Sequence, residues 1–224
     1  MAANPAYQWL SALLCYPQAD LIAALPEFQA ALDEWPTLSA QRSELQALLD
    51  YLHSHDLIEL QENYVATFDR NRSHALYLFE HVHGEDRDRG SAMVDLLQEY
   101  QRHGFTLGND ELPDYLPALL EFLAHIDTAH AQKLLGDAVH VIEHIRVKLA
   151  KNHSPYAAVL AAAVALSPVT PQPLIEPPVR DMDEAMETFG PDVSGIEPLL
   201  KPAIDTIQFY PKSDFQAACK GASA

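Results

Sequence analysis

Two histidines one residue apart, His81 and His83, stand in the stretch LYLFEHVHGEDRDRG from Leu76 to Gly90. Imidazoles and carboxylates bind divalent metals and carry protons. The same stretch holds Glu80, Glu85, Asp86 and Asp88 beside Arg87 and Arg89. Three uses are open: a metal site, a catalytic constellation, or a rigid polar surface that grips another protein. Helical geometry limits the first. Residues two apart on a helix point about 200° from one another, so His81 and His83 share a metal only if the stretch is a loop. Elsewhere, the doublet His55-Asp56 is a weak metal pattern, and His140 and His144 lie four apart, the spacing of one helix face.

Each pattern has a plainer account. His-x-His before an acid resembles the zinc pattern of metallo-β-lactamase-like hydrolases, but those ligands follow strands and no strand pattern is present here. His55-Asp56 resembles the doublet of helical HD-type phosphohydrolases and stays as the alternative, a metal-dependent phosphohydrolase. Asp56 is equally well a helix cap, with Glu59 three residues on. His140 and His144 lack a third ligand nearby in the sequence. No nucleophile elbow, phosphate loop or dinucleotide fingerprint occurs. The two cysteines, Cys15 and Cys219, make no zinc pattern and suit a reducing compartment. Cys15 ends an apolar run and is expected to be a buried small hydrophobe. No metal and no cofactor is expected.

The elements that must position these residues read as helices. Of 224 residues only eight are glycine, the first being Gly84, which is unlike a turn-rich sheet protein. Asn4 and Pro5 open a helix with the stripe Tyr7, Leu10, Leu13 and Leu14. Pro26 should restart or kink the next one. Leu45, Leu48, Leu49 and Leu52 share a face, as do Leu57, Leu60, Tyr64 and Phe68. Asp86 or Asp88 would begin a helix carrying Met93, Leu96, Leu97 and Tyr100, and Gly104 would end it. Pro113 and Pro117 lie near the start of the next. A long helix from Thr128 ends in basic residues. Ser154 and Pro155 should open a final helix that is apolar nearly all round and therefore central. The stretch 167–178 has five prolines in twelve residues and reads as an extended linker. The expected architecture is all-α: a helical bundle over 1–166, the linker over 167–178, and an acidic tail over 179–224 with one short helix.

Charge narrows the function. A net charge of −18 repels phosphate backbones and anionic membranes, so nucleic acid is disfavoured as a partner and a basic peptide is favoured. The N-terminus has no signal-peptide pattern and no apolar run is long enough to span a bilayer, so a cytoplasmic chain without membrane insertion is expected. Leu76, Leu78 and Phe79 run straight into the charged stretch, which suits an apolar groove beside a polar loop.

The segment YVATFDRNRSHALYLFEHVHGEDRDRGSAMVDLLQEYQRHG, followed by ELPDYLPALLEFL, resembles the assembly chaperones of respiratory nitrate reductase (NarJ type) in the wider TorD-like group. The match covers about Tyr64 to Leu123, and LFEHVHGEDRDRG is nearly a signature of that branch. The resemblance implies an all-helical, non-enzymatic chaperone. It would bind the N-terminal segment of the nitrate reductase α subunit and hold it for molybdenum cofactor insertion before membrane docking. Proteins that deliver the cofactor would be further partners. A tyrosine-to-phenylalanine motif falls on Tyr64 and Phe68. The family's Glu-x-x-Asp-His falls on Glu111, Asp114 and Tyr115, so tyrosine stands where histidine is usual. Tolerance is expected there if the work is binding rather than proton transfer. The expected peptide-binding set is Tyr64, Phe68, Leu76, Phe79, Glu80, His81, His83, Asp114 and Tyr115. Glu85, Asp86, Arg87, Asp88, Arg89 and Glu111 would form the recognition loop. Core packing is the plainer account of Tyr64, Phe68 and Phe79 taken singly, and internal pairing that of Arg87 and Arg89.

Overall fold

Helix starts follow the capping residues. The Asn4 side chain accepts the Ala6 amide at 3.1 Å and Pro5 takes the first position of α1 (Pro5–Leu14). Asp56 accepts the Glu59 amide at 2.9 Å to open α4 (Leu57–Tyr64). Asp127 does the same for His130 at 3.1 Å at the head of α7 (Thr128–Lys151). The computed structural model describes residues 4–82, 87–108 and 111–174, and of Arg87 and Asp88 the backbone alone. The described residues contain eight α-helices and no strand; their single β-type feature is an isolated antiparallel bridge between Tyr77 and Tyr115.

The remaining helices are α2 (Ala19–Leu32), α3 (Arg42–Ser54), α5 (Arg87–Arg102), α6 (Leu116–His125) and α8 (Ala157–Leu166). The stripes of α1 and α3 are buried faces, that of α4 is buried from Leu60 on, and that of α5 buries only Tyr100. Tyr7, Leu10, Leu13 and Leu14 of α1 are buried, as are Leu45, Leu48, Leu49 and Leu52 of α3. Each such side chain contributes about 1.5–3 kcal/mol by leaving water. α1 packs mainly on α6, α7 on α8, and α8 also reaches α1 and α3. α8 is the centre, as its all-round apolar sequence demands; Ala158, Val159, Leu160, Ala162 and Ala163 are all buried. Trp9 stands edge-on to Phe28 at 4.2 Å, tying α1 to α2.

Three local expectations are corrected, and one of two alternatives is excluded. Cys15 is not a buried hydrophobe; α1 stops at Leu14, the backbone of Cys15 turns extended, and the residue is exposed. Its thiol is still crowded by protein, which with Glu121 and Glu111 raises it to about 11 and keeps it protonated. Of the two outcomes expected at Pro26, a restart is excluded, because α2 runs through it. Pro26 is exposed, so water can serve the Ile22 carbonyl that loses its amide partner. Ser154 does not cap α8 with its side chain; the helix begins at Ala157, whose amide bonds to the Ser154 carbonyl at 3.2 Å. Arg87, Asp88 and Arg89 belong to the first turn of α5 rather than to a loop.

Gly104, with φ of 79°, ends α5, and Phe105 donates back to the Tyr100 carbonyl at 2.9 Å. Residues 167–174, the described part of the proline-rich stretch, are held against α7. Val169 fills the space a side chain at Gly136 would need, and the Gln172 amide donates to His140 Nδ1 at 2.9 Å. The rest of the expected linker and the tail, 175–224, lie outside the described residues. No described helix is long and apolar enough to cross a membrane.

Candidate functional site

The two halves of the expected site are clasped together. The Leu78 amide donates to the Asp114 carbonyl at 3.0 Å, and the Leu116 amide to the Leu76 carbonyl at 2.8 Å. The Phe79 amide donates to the Asp114 carboxylate at 2.9 Å. The Tyr77–Tyr115 bridge lies between them, with the two rings 5.2 Å apart. A short 3-10 turn, Leu78–His81, then carries the chain toward α5.

Beneath the clasp sit the aromatics of α4. The helix widens into a π turn over Val65–Asp69, closed by Arg70 donating to the Val65 carbonyl at 3.0 Å. Tyr64 and Phe68 are both buried there, 4.8 Å apart, and both meet Tyr156 edge-on. The Tyr64 hydroxyl donates to the Leu14 carbonyl at 2.8 Å and lies 3.3 Å from the Tyr115 hydroxyl. With the Tyr64 proton committed to Leu14, Tyr115 is the donor of that pair. Burial pushes Tyr115 up to about 12, so both phenols stay neutral. Tyr115 thus uses a hydroxyl bond to a buried partner.

Asp114 is wholly buried, at 0 % exposure. Burial raises its carboxyl pKa, against the Phe79 amide and the charge of Arg89, which lower it. Oδ2 holds Phe79, while Oδ1 has no hydrogen-bond partner. Leu76 is also interior. Tyr64, Phe68, Leu76 and Asp114 therefore support the surface from below.

The surface itself is made by half-buried Tyr77, Phe79, Glu80 and Tyr115, with exposed Glu111 and Asp69. After burial, the influences that raise the Tyr77 phenol are the charges of Glu111, Asp114, Asp69 and Glu80. Four carboxylates thus lie within electrostatic reach of one aromatic ring. Tyr16, 42 % exposed, extends the aromatic strip through its edge contact with Tyr64 at 5.5 Å. Arg89 pairs internally with Glu80 at 3.4 Å, half shielded from water. His83, Glu85 and Asp86 lie outside the described residues, as do the side chains of Arg87 and Asp88.

The histidines form no catalytic set at the clasp. His81 Nε2 donates to the Ala75 carbonyl at 2.8 Å, and its ring meets His144. Burial, with His144, Lys148 and His74 nearby, lowers it to about 4. His74, which the sequence reading passed over, is buried between the Thr67 carbonyl at 3.1 Å and the Asn152 amide nitrogen at 2.9 Å. A carbonyl only accepts and an amide nitrogen only donates, so His74 is held as the neutral Nδ1–H tautomer. His55 bonds to the Tyr51 carbonyl at 2.8 Å, and Asp56 caps α4. Among the described residues neither belongs to a group of three possible metal ligands. Tyr77 and Tyr16 were also missed. Tyr77 sits between two leucines and carries no pattern of its own; Tyr16 follows an apolar run with nothing to mark it as surface.

Residues 35–162 match the model of the nitrate reductase delta subunit family. The chain belongs to that family. It is 40% identical over 149 residues to the nitrate reductase molybdenum cofactor assembly chaperone NarJ of Escherichia coli (strain K12), across 66% of this chain and 63% of that relative. It is 33% identical over 156 residues to the probable chaperone NarJ of Bacillus subtilis (strain 168), across 70% of this chain and 84% of that relative. The probable chaperone NarW of Escherichia coli (strain K12) is 38% identical over 133 residues, across 58% of each. The match thus spans under two thirds of the length of the Escherichia coli relatives. The clasp, from Tyr64 to Leu116, lies inside the region that defines the delta subunit family.

Proposed function

We propose that this protein is a non-enzymatic chaperone that binds the N-terminal segment of the nitrate reductase α subunit in the cytoplasm and holds it for molybdenum cofactor insertion before membrane docking. The observation that carries the reading is the aromatic strip Tyr77–Tyr115 rimmed by Glu80, Glu111 and Asp69. A flat aromatic face gives an amphipathic peptide apolar contact at little entropic cost, and the carboxylates take its basic side chains. Delta-family membership supports the choice of partner, because relatives in that family are named as nitrate reductase cofactor assembly chaperones.

The residue assignment differs from the sequence expectation in depth. Tyr77, Phe79, Glu80, Glu111 and Tyr115 make the contacts, and Tyr64, Phe68, Leu76 and Asp114 hold them in place. His81 is a structural residue of this surface, and His83 with the 85–88 stretch borders it in sequence. Proteins that deliver the cofactor are further partners of the assembled complex.

Calorimetric titration with a peptide copying the N-terminus of the cognate α subunit, at two salt concentrations, tests the proposal. Saturable binding that weakens as salt rises is the expected result. Absence of binding at both salts, with the protein folded, would overturn it.

A further inference from the structure

Away from the clasp, three metal-ligating side chains from two elements converge. Glu99 lies in the last turn of α5, His103 directly after it, and His130 in the first turn of α7. Both imidazoles address the same carboxylate oxygen: His130 Nε2 is 2.7 Å and His103 Nε2 3.3 Å from Glu99 Oε1. The other oxygen, Oε2, is held by Arg102 at 2.8 Å. The three ligand atoms all lie within 4.8 Å of one another.

The backbone fixes this arrangement. Gly104 in the left-handed region ends α5 directly after His103. The His103 ring stands edge-on to Phe122 at 5.6 Å and 5.0 Å from the His130 ring. The Asp127 cap sets the first turn of α7 and so the position of His130. Beside the cluster opens a cleft of about 350 Å³, lined among others by Asp95, Asp137, Lys133 and Leu134. Two acids and two cations, Lys133 and Arg102, thus border the triad.

We propose that Glu99, His103 and His130 form a binding site for a first-row divalent metal of the zinc type. Two imidazoles and one carboxylate are the donor set such ions take, with open positions filled by water from the cleft. Ligand atoms around a four-coordinate ion sit a little over 3 Å apart, so the His103–Glu99 spacing already suits one. The His130–Glu99 hydrogen bond needs only to lengthen slightly as the metal replaces its proton. Arg102 on Oε2 leaves Oε1 as the coordinating atom and orients it, the part that outer partners play in metal sites. Its positive charge works against the metal and Asp95 and Asp137 work for it.

The ion would fasten a thinly held helix. Among the described side chains of α5, Tyr100 alone is buried. A metal shared by the end of α5 and the start of α7 would fix the helix whose first turn carries Arg89, the partner of Glu80.

The test uses the tag-free full-length protein, stripped with chelator and titrated with Zn²⁺ and with Mg²⁺. One zinc per chain is expected, with magnesium not competing. The thermal midpoint should rise by about 5–10 °C when free zinc is a hundredfold above Kd. Glu99→Gln, His103→Ala and His130→Ala should each weaken zinc binding at least about tenfold, whereas His53→Gln and His125→Gln should leave it unchanged. Cobalt loading should give visible bands that vanish in His130→Ala, a readout that a loss of stability alone would not produce. Zinc binding that survives all three substitutions, or no saturable binding by the folded wild type, would overturn the proposal.

Discussion

The Asp114 carboxylate accepts the Phe79 amide at 2.9 Å, joining segments 35 residues apart in the chain. Because Asp114 is wholly buried, this bond is a structural tie between the apolar lead-in and the head of α6. Asp114→Ala leaves the Phe79 amide without that acceptor and should cost about 1–3 kcal/mol in urea unfolding. Asp114→Asn keeps an acceptor and loses the buried charge, so its midpoint should stay within about 1 kcal/mol of wild type. An Asn variant as damaged as the Ala variant would show that the charge, not the acceptor, matters.

Rim charges should behave differently. Glu80→Lys and Glu111→Lys should weaken binding of the basic peptide about three- to tenfold at low salt, with the difference shrinking at high salt. Glu80→Lys also removes the Arg89 pair, which is worth at most about 1 kcal/mol at such exposure. Equal affinity of both variants and wild type at low salt would remove the carboxylates from the recognition surface.

Acid should loosen the region around His81. Its folded pKa of about 4 lies below the ordinary value of 6.5, so the unfolded chain takes up the proton first as pH falls. The stability this neutral imidazole supplies is complete above about pH 6.5 and drains away down to about pH 4, on the order of 3 kcal/mol in all. His74, lowered by burial, adds loss of the same sign. His81→Gln retains a donor for the Ala75 carbonyl and should flatten the profile between pH 6.5 and 4. Chemical denaturation at several pH values measures it, and an unchanged slope in the variant would refute the assignment.

Gly136 is the seat of the proline-rich segment. A Cβ there would stand 2.9 Å from a Val169 methyl, closer than such contacts tolerate. Gly136→Leu should lift residues 167–174 from α7 and speed proteolysis after Leu166, while helix content stays close to wild type. Cleavage at the wild-type rate would mean that Val169 simply shifts aside.

The fold was legible because its signals are local. Asn4 and Asp56 sit where the capping rule puts them, the leucine stripes of α1 and α3 became core, and α8 announced its central place by lacking a polar face. Ser154 misled because a capping residue states a local preference that tertiary packing can override. The site was legible as a region and not as a surface. Helical spacing told that Tyr64 and Phe68 share a face, but not that the face is interior. Asp114 read as a surface acid because burial of a carboxylate depends on a partner amide 35 residues away. Glu99 and His103 are four apart and visible as a pair; His130 joins them only through the packing of α5 near α7.

The π turn at Val65–Asp69 contains one residue more than a regular helical turn would. Such a position is where a chain can change length by one without opening a loop. Deleting exposed Ala66 would let the hydrogen bonds of α4 re-form in the ordinary register. The cost would fall instead on Phe68, which would stand three α-helical steps after Tyr64 and turn by roughly 30° relative to its contact with Tyr156. The extra residue therefore sets the angle at which the phenylalanine meets its neighbours, rather than whether it faces them.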